Sequence, residues 1–136
     1  MSFEPSILLD RAVLARMRAE RGATFVRLLG YFREDGIKAM TALEEAVRAG
    51  DAPAMVVPAH TLKGNARYFG AEPLASLAEQ LEGYARGCIE RRERPDEAIS
   101  DVVALRDLFR ATLSAVERES NPLAPRRHAG FGRRPD

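Results

Sequence analysis

Tryptophan is absent from this chain, cysteine occurs once at Cys88, and only Lys38 and Lys63 are lysines. A single cysteine excludes an internal disulfide framework and a multi-cysteine zinc site. No stretch approaches the roughly 20 apolar residues that a membrane span needs. The N-terminal run MSFEPSILLDRAVL carries acids early and does not read as a signal peptide. A surplus of one sign of charge is missing too. The 21 cationic side chains face 20 acidic ones, leaving +1. That balance disfavours a chain built around a nucleic-acid surface. A phosphate-cradling glycine-rich loop is also missing, so an ATP site of its own is not expected. Together these absences predict a soluble, cytoplasmic protein with no membrane and no nucleic-acid partner. At 136 residues, one domain is expected, burying roughly two thirds of its unfolded surface.

What is present is helical. Ser6 or Asp10 can cap a first short helix over Arg11 to about Glu20, which Gly22 closes. Between Ala23 and Ala49, Phe25, Leu29, Phe32, Gly36, Ala39, Leu43 and Ala46 recur by threes and fours and form one apolar stripe. Gly50-Asp51 reads as a stop and a new cap. A third helix follows from about Ala52 to Phe69, with Met55, Ala59, Leu62, Ala66 and Phe69 inward. Glu72 and Pro73 suit the first turn of a fourth helix, with Leu74, Leu77, Leu81, Tyr84 and Cys88 as its stripe. After a break at Arg94-Pro95-Asp96, Val102, Leu105, Phe109, Leu113 and Val116 line a fifth. Four long amphipathic helices joined by short turns predict an all-α, antiparallel up-down four-helix bundle with the first short helix covering one end. Residues 1–119 form this domain. Residues 120–136, rich in Arg, Pro and Gly, are expected to be a disordered tail.

The third helix carries the chemistry. His128 lies in the tail, whereas His60 lies mid-helix, about 200° around the wheel from Leu62, and should be exposed. Lys63 and Gly64 lie about 60° and 40° from it, Arg67 about 20° away two turns on, and Val56 and Val57 flank it on the N-terminal side. An imidazole of ordinary pKa, about 6.5, is largely neutral at pH 7 and can act as a nucleophile. Lys63 and Arg67 suit negative charge arriving on it. Gly64, which costs the helix about 1 kcal/mol relative to alanine, leaves space for a partner. Exposed Val56 and Val57 suit docking. No carboxylate lies one turn from His60 on its own helix, which disfavours hydrolytic general-base chemistry, and no second His or Cys is near enough for a metal site.

The run Ala59-His60-Thr61-Leu62-Lys63-Gly64, then Gly70-Ala71, Leu74, Leu77, Ala78, Leu81 and Glu82, resembles the signature of histidine-containing phosphotransfer (HPt) domains. The upstream segments LLDRAVLARM and TFVRLLGYFREDGIKAMTALEEAVRAGD resemble the family's first helices, so the resemblance covers about residues 7 to 118. It implies a monomeric bundle that carries a phosphoryl group in a two-component phosphorelay. The partners it implies are response-regulator receiver domains and a sensor histidine kinase, hybrid or not. His60 would be the phospho-acceptor, with Lys63 against the phosphoryl oxygens and Gly64 giving the receiver room. No cofactor of its own is implied, because the Mg²⁺ of transfer belongs to the receiver. The protein would be a phosphoryl carrier rather than an enzyme.

Three features depart from that pattern. Pro58 removes a backbone hydrogen bond to Ala54 and predicts a kink, or a helix whose regular part begins later. At Asn65 and Arg67 the family usually has small residues, and Arg67 lies on the His60 face. It can support the phosphoryl group, contact a receiver carboxylate, restrict which receivers fit, or simply be solvated. The Arg-rich tail has no counterpart in the minimal domain. The competing reading is an adaptor or antagonist that docks receivers without carrying phosphate.

Overall fold

A computed structural model describes residues 8–120, and every regular element among them is helical. The helices are α1 (Arg11–Arg21), α2 (Thr24–Ala49), α3 (Pro53–Tyr68), α4 (Glu72–Arg91) and α5 (Ile99–Ser120), with a 3₁₀ turn at Asp96–Ala98 before α5. α2 packs on α3, α3 on α4 and α4 on α5, and α5 closes back on α2. α1 lies against α2. No helix among the described residues is long and apolar enough to cross a membrane.

Local sequence sets the boundaries. The Asp10 carboxylate accepts hydrogen bonds from the Ala12 and Val13 amides at 3.1 and 3.3 Å, opening α1. The other expected cap, Ser6, lies outside the described residues. Gly50 ends α2 in the left-handed conformation at φ 69°, and Asp51 then accepts the Ala54 amide at 3.1 Å. α4 begins at Glu72 with Pro73 inside its first turn. Ser120, expected to open the tail, belongs to α5 and donates its hydroxyl to the Val116 carbonyl at 2.6 Å. Residues 121–136, including His128, lie outside the described residues.

Pro58 does not shorten its helix. α3 is helical from Pro53 across Pro58 to Tyr68, so the regular part begins before the proline rather than after it.

The core follows the predicted stripes, with one rotation. The inward sets of α3 and α5 are buried as expected, and in α2 only Leu29 is half-buried. In α4, Leu77 and Tyr84 are half-buried, and the centre of the stripe runs instead through Leu74, Ala75, Ala78, Leu81, Ala85 and Cys88. Alanines there let α3 and α4 approach closely. Phe32 joins the layers, its ring 4.8 Å from that of Phe69 and 5.8 Å from that of Phe109. Phe109 lies so close over Gly36 that a β-carbon would overlap its ring.

Candidate functional site

Gly70 fixes the end of the histidine-bearing helix. Its φ of 76° turns the chain from α3 into α4, and its carbonyl accepts the Asp10 amide at 2.8 Å. A β-carbon there would come within 3.0 Å of the Asp10 carbonyl oxygen. The glycine ten residues after His60 is thus both a turn and the seat of the α1 N-terminus.

His60 projects from the middle of α3 with 63 % of its side chain exposed. Its inner nitrogen is not free. Nδ1 lies 3.1 Å from Glu82 Oε2 and 3.3 Å from Oε1, on the facing side of α4. α3 supplies no carboxylate beside His60, as its sequence indicates; α4 supplies one. Glu82 appears within the family-like run of residues, but its role was not legible there. A signal existed nonetheless. On the helical wheel Glu82 falls within the Ala75, Ala78 and Ala85 stripe, and an acid in an alanine stripe must be paired to be buried.

It is paired three times. Besides His60, Glu82 receives Lys63 Nζ on Oε1 at 3.0 Å and Arg86 Nη2 on Oε2 at 2.8 Å, while only 8 % of its side chain is exposed. Burial alone would raise its pKa. Hydrogen bonds from Arg86, Lys63 and His60 outweigh burial and bring it from 4.5 to about 2. An ionised carboxylate only accepts hydrogen bonds, so His60 donates Nδ1–H and keeps the lone pair on Nε2.

The other predicted residues fall around this centre, with corrections. The Lys63 side chain is 19 % exposed and held by Glu82. Gly64 is open, with nothing within 4 Å of the position a β-carbon would take. Val57 is 71 % exposed, but Val56 is half-buried against the core, so the exposed apolar pair reduces to one residue. The Arg67 guanidinium is drawn along α4, donating to Glu72 at 3.3 Å and Glu79 at 2.9 Å. Those two carboxylates raise its pKa. Arg86 was not anticipated. Among the described residues no group of three His, Cys, Asp or Glu side chains is placed to hold a metal ion.

The arrangement therefore presents an exposed imidazole held through Nδ1, a cation pair anchored through one buried carboxylate, and open space at Gly64. The family model described as "Hpt domain" matches residues 27–119. Among solved structures, the chain is similar to histidine-containing phosphotransfer protein B (HptB) from Pseudomonas aeruginosa PAO1. The TM-score is 0.72 at 28 % identity, covering 82 % of this chain and 93 % of that one. A search among curated proteins returns no significant match. With the family match extending over α2 to α5 and the geometry around His60 in place, the chain belongs to the Hpt domain family.

Proposed function

We propose that His60 is the phosphoryl carrier of a two-component phosphorelay. It takes the group from a receiver-domain phosphoaspartate, or from a sensor histidine kinase, and passes it to a response-regulator aspartate. The observation that carries this reading is the split environment of one imidazole: Nδ1 is held by a buried carboxylate while the ring is otherwise exposed beside an open glycine. In the step itself the Nε2 lone pair attacks phosphorus, the N–P bond forms, and the P–O bond to the aspartate breaks, leaving a carboxylate on the partner. Nδ1–H stays on His60, where Glu82 offsets the positive charge that develops on the ring. Lys63, anchored beside it, supports the incoming oxygens. Any Mg²⁺ used in transfer belongs to the receiver. Val57, with Val56 beneath it, forms the apolar end of the docking face.

The same reading takes α2 to α5 as an up-down four-helix bundle capped by α1, acting as a cytoplasmic monomer without an ATP site of its own. Family membership does not favour the adaptor alternative.

The test is transfer from a panel of phosphorylated receivers, followed by intact mass. An acid-labile gain of one phosphate, absent in His60→Gln with helicity preserved, is expected. Detectable transfer to His60→Gln would exclude the assignment.

A further inference from the structure

Arg67 lies on the His60 side of α3, two turns further along, where it bridges two acids of α4. Nε donates to Glu72 Oε2 at 3.3 Å and Nη2 to Glu79 Oε1 at 2.9 Å, with all three side chains exposed. One cation therefore serves two carboxylates, and this end of the face sums to −1. Each carboxylate uses one oxygen on Arg67. Among the described residues no hydrogen bond reaches Glu72 Oε1 or Glu79 Oε2. The centre of the face has the opposite sign, since Glu82 with Lys63 and Arg86 sums to +1. At the other end stands exposed, apolar Val57.

We propose that Glu72 and Glu79 are a selectivity pair at the edge of the docking face: with a single cation, Arg67, between two carboxylates, they favour receivers that bring a cation to that end. The inference rests on the phosphotransfer reading and adds to it the chemistry of the preferred partner. Its physical basis is electrostatic. Charges at the rim of an interface act mainly on encounter and on wrong partners, and salt screens them. The guanidinium holds both carboxylates and offsets one of their two charges, leaving the other for a partner. Arg67 is spent on these acids, so the charge a partner meets is theirs.

The experiment uses the full chain with a receiver that phosphorylates it. Glu72→Gln/Glu79→Gln reverses the local sum to +1 and is expected to raise KM about 2- to 10-fold at low salt, the range of one or two exposed charge pairs. kcat stays unchanged, and the difference fades at about 0.5 M salt, where the Debye length is only a few ångströms. Arg67→Gln takes the sum to −2 and lowers KM. Phosphoramidate, a small donor that needs no docking face, labels His60 equally in all three proteins. Indifference of KM to both substitutions overturns the selection while transfer itself stands. A raised KM in Arg67→Gln alone shows that Arg67 itself meets a partner carboxylate. Slower phosphoramidate labelling in that variant places it against the phosphoryl group instead. Transfer from no receiver at all removes the phosphorelay reading, and this inference with it.

Discussion

Glu82 is the residue on which the site turns, because three basic groups from two helices converge on its two oxygens. Its pKa falls from 4.5 to about 2 on folding, so its contribution to stability is complete above about pH 4.5 and is lost as pH falls toward 2. The contribution is about 3 kcal/mol at most. Denaturant titrations at pH 6 and pH 2.5 should therefore show a smaller loss for Glu82→Gln than for the parent protein. The same variant weakens the fix on Nδ1–H, so transfer should slow about 10- to 100-fold, by analogy with other outer hydrogen-bond partners of functional histidines. Gly64 makes the converse case. A methyl group there meets nothing, so Gly64→Ala should stabilise the helix by about 0.5–1 kcal/mol while slowing receiver-dependent transfer. A melting curve and a transfer assay on one preparation check both halves.

At the scale of the element, α3 holds its form across a proline. Pro58 leaves the Ala54 carbonyl without its usual helical donor, yet the helix continues to Tyr68. Pro58→Ala should therefore raise stability by about 1–3 kcal/mol, measured by thermal or urea melting, with His60 transfer retained. Helix identities, stripes and caps were legible in the sequence because each depends on spacing within one segment. The stripes of α3 and α5 and the turns at Gly50 and Gly70 follow from that alone. Glu82 was harder to place because its meaning depends on which face of α4 meets His60, a relation between segments. The pairing of Lys63 with Glu82 was hidden for the same reason, and Val56 was expected to be exposed because a wheel drawn on one helix omits its neighbours. Arg67 was legible as unusual, but its partners were not.

Across the whole molecule, α5 is tied at its far end to α1. Arg18 donates to the Glu119 carbonyl at 3.2 Å, and Arg11 pairs with the Glu119 carboxylate at 3.0 Å. Such exposed contacts contribute little individually, but they close the helix at its last turn, where the family match also ends. Deleting residues 121–136 should leave both melting temperature and phosphotransfer unchanged. A large loss of transfer on deletion would give the arginine-rich segment a part in partner binding. The charges gathered on Glu82 have a further consequence for what approaches the molecule. With His60 neutral, Glu82, Lys63 and Arg86 sum to +1. A phosphoryl group on Nε2 carries up to about −2 on its oxygens, but the ring that keeps Nδ1–H then carries +1, so the same patch falls to about zero. The loaded form thus cancels the positive field that the empty form presents, so a partner can tell them apart before touching either.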